Sequence, residues 1–141
     1  MTTFTGAPAL ASLKRVCAVA GLAVCISAEA ANLTWNGSVS PDWFNPTNWT
    51  PSVVPGPDDT LNFSSGTINL SAPVTINGQF NWSGGTLSGS PMTITTNGLL
   101  SLGGSSSKFL DNALTNAGTV AWSGTGNFYV YNNNGAPYRG A

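Results

Sequence analysis

Histidine is absent from the 141 residues, and Asp, Glu, Lys and Arg together supply only 6% of them. An ordinary soluble domain carries about 25% charged residues, so most acid–base chemistry is excluded before any motif is considered. Cysteine is confined to Cys17 and Cys25, and the single glutamate is Glu29. Beyond residue 30 there is therefore no thiol, disulfide or imidazole. Thiolate and imidazole metal sites, Fe–S clusters and Ser-His or Cys-His nucleophile systems are ruled out by missing atoms. The charges that remain are Asp42, Asp58, Asp59 and Asp111 against Lys108 and Arg139, a formal net of −2. No basic cluster is available to a phosphate backbone, so nucleic acid is not an expected partner. What the chain has in abundance is Ser, Thr and Asn at 47 positions, with 17 Gly and 9 Pro. These residues oppose helix and favour short strands joined by turns.

Residues 1–30 read as an export address. Lys14 and Arg15 precede Val16 to Ile26, an unbroken run of eleven small or apolar residues, too short for a bilayer span of about 20. Ala28 and Ala30 then form the small-x-small pattern that a signal peptidase accepts, which predicts cleavage between Ala30 and Ala31. The expected product is extracellular or cell-surface, with no membrane insertion in its mature segment.

Residues 71–131 show an internal period. Gly78, Gly98 and Gly118 lie twenty residues apart, in the lines VTINGQFNWSGG from Val74, ITTNGLLSLGGS from Ile94 and LTNAGTVAWSGT from Leu114. Five columns agree: Val74, Ile94 and Leu114; Thr75, Thr95 and Thr115; Phe80, Leu100 and Val120; Trp82, Leu102 and Trp122; Gly84, Gly104 and Gly124. Large residues alternate with small ones, as on one face of a strand, and the glycines after each strand suit corners of positive φ. Thr86-Leu87 and Phe109-Leu110 suggest a third, less regular side. A twenty-residue period with two or three short strands per unit predicts an all-β fold, a β-solenoid with right-handed β-helix-like coils and apolar ladders inside. The alternative is an antiparallel β-sandwich or meander, which explains strands but not identity between positions twenty apart.

Ahead of the repeats, residues 31–70 are rich in Trp and Pro and read as an N-terminal cap. Trp35, Trp43, Phe44, Trp49 and Phe63 alternate with Pro41, Pro46, Pro51, Pro55 and Pro57. The first coil of a solenoid exposes an apolar cross-section and open strand edges, which indoles can cover and prolines can blunt. Trp35, Trp43 and Trp49 are also the candidates for a sugar-stacking platform, since indole faces suit carbohydrate. Residues 132–141 read as a linker or truncated end.

The segment Leu33–Phe63 resembles a leader block of secreted bacterial β-solenoid proteins of the autotransporter-like and surface-adhesin type. Trp43, Asn48 and Trp49 match its W-x-x-x-x-N-W stretch, Val54, Pro55 and Asp59 its V-P-x-x-x-D, and Leu61 with Phe63 the strand that follows. The repeat lines also look like coils of such proteins. The resemblance implies a surface-exposed or secreted β-helical shaft with the Trp-rich block at its N-terminal end, and it carries scaffold roles only.

Little chemistry remains to be placed. Asp58 and Asp59, after Pro55-Gly56-Pro57, are adjacent acids that calcium could share with backbone carbonyls, and a turn could equally use them to bind N–H groups. Glycosidase chemistry needs two carboxyls about 5–9.5 Å apart across a sugar, and Asp42 or Asp111 could meet Asp58 or Asp59 in that way only through an accidental contact of the fold. Lys108 beside Asp111 reads as a solvated loop pair. No catalytic residue, cofactor or metal is assigned. The expectation is a structural or adhesive surface protein whose partners are polysaccharide or host and cell-surface ligands. The alternatives are a carbohydrate-binding module and the N-terminal fragment of a larger polysaccharide-active enzyme.

Overall fold

A computed structural model describes residues 16–17, 25–26 and 29–131. Two short strands, β1 (Val16–Cys17) and β2 (Cys25–Ile26), pair antiparallel; residues 1–15, 18–24 and 27–28 of the expected export address, and residues 132–141, lie outside the described residues. The main body begins with β3 (Asn32–Trp35) and β4 (Trp49–Thr50), which also pair antiparallel. Then the chain winds in coils. The first has β5 (Thr60–Phe63), β6 (Thr67–Leu70) and β7 (Val74–Ile76), and the second β8 (Gln79–Trp82), β9 (Gly85–Gly89) and β10 (Met92–Ile94). The third has β11 (Leu99–Leu102), β12 (Lys108–Asp111) and β13 (Leu114–Asn116), and a fourth starts with β14 (Thr119–Trp122) and β15 (Phe128–Val130).

Strands from successive coils pair in parallel and build three walls. Their orders are β14-β11-β8-β5-β3-β4, β15-β12-β9-β6 and β13-β10-β7. This is a β-solenoid, as the repeat period predicts, and not a sandwich: within the coils every pairing is parallel. Period-two alternation sets the inside and outside of each wall. Leu33, Leu61, Phe80, Leu100 and Val120 stand in one inward column, and Phe63, Trp82, Leu102 and Trp122 in the next. The second wall contributes Ile68, Leu87 and Leu110, and the third Val74 and Met92. Trp82 and Trp122 each donate the indole N–H to the carbonyl two residues on, at Gly84 and Gly124, both at 3.0 Å. The shared Trp-Ser-Gly lettering is therefore a shared corner.

The register corrects part of the sequence alignment. Met92 pairs with Val74 on one side and Leu114 on the other, and Thr93 with Thr75 and Thr115, so Ile94 and Thr95 do not occupy those columns. On the first wall the partners Gln79, Leu99 and Thr119 keep the twenty-residue spacing. On the third wall Val74, Met92 and Leu114 are 18 and 22 apart. Corners of unequal length cause the slip. Thr95–Gly98 separates β10 from β11, whereas Asn77–Gly78 and Ala117–Gly118 suffice at the equivalent corners.

Gly78, Gly98 and Gly118 are needed for closeness rather than for φ. A Cβ on Gly98 would sit 2.6 Å from the Ile76 carbonyl oxygen of the neighbouring coil. Of the glycines expected to turn corners at positive φ, Gly104 does so (69°), while in the second coil the role passes to Gly85 (95°). At the other end, Val120 and Trp122 continue the inward columns yet are 46% and 57% exposed, because among the described residues no further coil covers them.

Candidate functional site

The Trp-rich block closes the N-terminal end of the stack. A 3-10 turn, Pro46–Asn48, starts at Asn45, whose side chain accepts from the Thr47 N–H. It delivers Asn48, fully buried, to the centre of the loop. Asn48 Oδ1 accepts from Val39 N–H and Ser40 N–H (3.0 and 3.1 Å), and Nδ2 donates to Ser40 Oγ and the Asp42 carbonyl (3.0 and 2.9 Å). All four bonding positions of the amide are used, which is what allows a polar side chain there at all. Trp49 follows directly. Its indole N–H donates to the Trp43 carbonyl at 2.9 Å, and its ring lies edge-to-face against both Trp43 and Trp35, with centroids 5.0 and 5.1 Å away. Trp43 then meets Phe80, and Trp35 meets Phe63. The indoles thus lie over the first two rungs of the ladder.

Trp35, Trp43 and Trp49, the three residues offered as a sugar platform, are 6%, 1% and 0% exposed. Their faces are spent on one another and on the coils below. Trp35 lines a groove of about 470 Å³ with Gly37, Ser38, Ser65, Gly66 and Thr67, and Trp43 lines a smaller one of about 230 Å³ with Phe44, Pro55, Pro57 and Pro73.

Asp58 and Asp59 serve different partners. Asp59 is 9% exposed; its Oδ1 accepts from the Ala31 N–H and its Oδ2 from the Gly56 N–H, both at 2.7 Å. Asp58 accepts from the Asn77 side-chain amide. Asp59 thereby ties the start of the body to the Pro55-Gly56-Pro57 turn. Among the described residues no three His, Cys, Asp or Glu side chains converge, and no helix is long and apolar enough to cross a membrane.

A second surface was not singled out by sequence reasoning. On the outside of the second wall, Thr67, Thr86, Phe109 and Tyr129 form one column, so the side chains change from small to large between the second and third coils. Phe109 stacks on Tyr129 with centroids 5.2 Å apart and planes 10° from parallel, and Tyr131 leans on Phe109 at 6.1 Å and 32°. The step leaves a hollow of about 350 Å³ lined by Thr86, Phe109, Asp111 and Tyr131. The available signal was Phe109 and Tyr129 at a separation of twenty, inside a side that the alignment treated as irregular.

Lys108 corrects the expectation of a solvated pair with Asp111. It lies in β12 with its side chain inward, 1% exposed, and its ammonium donates to the Ser106 carbonyl at 3.0 Å. Desolvation lowers its pKa from the usual 10.5. Asp111, three residues later on a strand, faces the opposite way. Compared with known proteins, the chain matches no family model, no curated protein and no solved structure.

Proposed function

We propose that this chain is an exported, non-catalytic β-solenoid of structural or adhesive type, displayed outside the cell as a shaft closed at its N-terminal end. The observation that carries this reading is the outer wall, in which polar side chains satisfy one another along the stack. Asn62 Nδ2 donates to Asn32 Oδ1 at 2.7 Å, Asn81 Nδ2 to Asn62 Oδ1 at 3.0 Å, and Gln79 Nε2 to Asn81 Oδ1 at 2.6 Å. A ladder of mutually bonded amides is uncharged and holds no poised acid, base or nucleophile. It suits a scaffold that presents an area rather than a reaction centre. The export address at residues 1–30 and the resemblance of the cap to autotransporter-like and adhesin proteins support the same reading.

The test is to produce the full chain with a C-terminal epitope in a bacterial host, fractionate the cells, and measure retention of protein-coated beads on polysaccharide and host-cell surfaces. Export with specific bead retention is expected. A chain that stays in the cytoplasm, or coated beads that behave as bare ones, would refute the proposal.

The hollow under Phe109 favours a second reading, carbohydrate binding at a site other than the indoles. A flat ring face beside one carboxylate and two hydroxyls matches a pyranose, which offers axial C–H groups to the ring and equatorial hydroxyls to Asp111. Titration with cellohexaose is expected to give a Kd on the order of 1 mM, the strength a single sugar ring reaches. Phe109→Ala should weaken it about fivefold to tenfold. Thr86→Phe, which extends the stack and fills the hollow, should abolish binding without lowering stability. Equal binding by both variants and the unaltered chain would rule this reading out.

A further inference from the structure

The contacts of Ala31 bear on how the protein is finished. Glu29 and Ala30 are exposed and take part in no strand, whereas Ala31 is half-buried against the core and bonded on both sides. Its N–H donates to Asp59 Oδ1 at 2.7 Å, and its carbonyl accepts from the Thr60 N–H at 2.8 Å. Paired structure in the main body therefore starts at the residue that follows the small-x-small site Ala28-Glu29-Ala30. Two independent observations, the lettering of the leader and the onset of pairing, meet at one peptide bond.

We infer that removal of the leader after Ala30 turns the Ala31 N–H into an α-ammonium held by the Asp59 carboxylate, so that processing also fastens the capped end. The inference rests on the export reading above. Hydrolysis of the Ala30–Ala31 bond by a processing peptidase consumes one water, leaves a carboxylate on Ala30 and leaves the amine, protonated at pH 7, on Ala31. Asp59 is suited to receive it. Its Oδ2 is already fixed by the Gly56 N–H at 2.7 Å, the backbone carbonyl of Asp59 accepts from Gln79 N–H of the second coil at 3.1 Å, and the side chain is almost entirely shielded from water. A cationic donor in such a place adds direct ion-pair attraction to a hydrogen bond that the carboxylate already strengthens. Asp58, the neighbouring acid, is engaged by the Asn77 amide. The one described cation past the leader, Lys108, points into the third coil and bonds to Ser106, so it does not compete for Asp59. Before cleavage the same atoms make a bond in which only the carboxylate is charged, and cleavage adds the opposite charge on the donor. The fold can thus form first and be tightened afterwards, at the end where Trp35, Trp43 and Trp49 already shut out water.

The experiment uses the exported product of the full chain. Mass spectrometry fixes its N-terminus, and N-hydroxysuccinimide acetate at pH 7 then reports how available the α-amine is, by comparison with the free tripeptide Ala-Asn-Leu. An Ala31 terminus acetylated about tenfold or more slowly than the tripeptide is the expected result. Asp59→Asn should restore the fast rate, and it should reduce the folded-to-unfolded ratio about tenfold more in the processed chain than in the unprocessed one. Cleavage at Ala31 with an amine as reactive as the tripeptide would overturn the inference and leave the export reading intact. Cleavage at another bond would do the same. A chain that is never exported or cut would overturn both. Because the amine reactivity of the unaltered protein decides the matter, a variant that fails to fold does not.

Discussion

Replacing Trp49 by Ala removes the one indole that touches both of the others in the cap. Trp49 is fully buried, with Trp35 and Trp43 edge-to-face at 5.1 and 5.0 Å. Loss of a core Trp side chain costs about 3–5 kcal/mol in transfer and cavity energy. The Trp43 carbonyl also loses the indole N–H that donates to it at 2.9 Å, worth a further ~1 kcal/mol. Each edge-to-face contact adds about 0.5–1.5 kcal/mol, part of which the cavity term already contains. A total near 5 kcal/mol is a large fraction of the stability of a small domain, about 5–15 kcal/mol, so Trp49→Ala is expected to leave the chain marginal or unfolded at 25 °C. Trp49→Phe keeps a ring and loses the donor, and should cost about 2 kcal/mol. Val39→Ala, at an exposed position of the same loop, should change stability by no more than about 0.5 kcal/mol. Urea unfolding followed by far-UV circular dichroism measures all three without relying on the fluorescence of the residue removed. A loss below about 1 kcal/mol for Trp49→Ala would refute the lid. If that variant also lost affinity for a polysaccharide while staying folded, the indole would be a ligand platform instead.

Two glycines give a paired test of coil packing. Gly98→Ala places a Cβ 2.6 Å from the Ile76 carbonyl oxygen and should cost about 1–3 kcal/mol, while Gly103→Ala meets nothing within 4 Å and should be neutral in the same urea assay. Lys108→Met replaces a desolvated ammonium by an apolar chain of similar length, and is expected to be neutral or to stabilise by about 1 kcal/mol. The unaltered chain should become more stable as pH rises from the lowered pKa of folded Lys108 towards 10.5, the value of a free lysine. Over that window the unfolded state holds the proton that the folded state has released. Lys108→Met should lack this rise, and a rise of equal size in the variant would show that another group causes it.

Much of this architecture is legible in the letters because a parallel stack repeats its neighbours. Phe80, Leu100 and Val120 share a column as the twenty-residue period implies, and so do Trp82, Leu102 and Trp122. Phe109 and Leu110 do build a side, paired with Thr86 and Leu87. The third wall is where reading by period failed. Corner length is set by how the backbone closes each coil, so Thr95–Gly98 shifts Met92 into the place that Ile94 would take by counting. The coil from Thr60 to Ile76 was hidden for a related reason. It stacks 19 residues before the next, Thr60 on Gln79, and its inward Leu61 and Phe63 match Phe80 and Trp82 in size but not in letter. Asn48 could not be read as a hub, because its partners Val39, Ser40 and Asp42 lie six to nine residues away along an irregular loop. Lys108 was misplaced because charge normally signals solvent, and only the strand parity of β12 turns it inward. The hollow at Phe109 needs two columns at once, which a one-column period does not display.

The account depends most on side chains from successive coils meeting inside the shaft. Methyl-to-aromatic nuclear Overhauser effects in the folded protein test that directly. Leu61 and Leu100, one coil to either side of Phe80, should both show strong contacts to the Phe80 ring, since strands in a parallel wall are about 4.8 Å apart. A spectrum in which Phe80 contacts neither leucine, or in which Leu100 instead contacts residues of an antiparallel neighbour, would contradict the stacked solenoid and the scaffold function built on it.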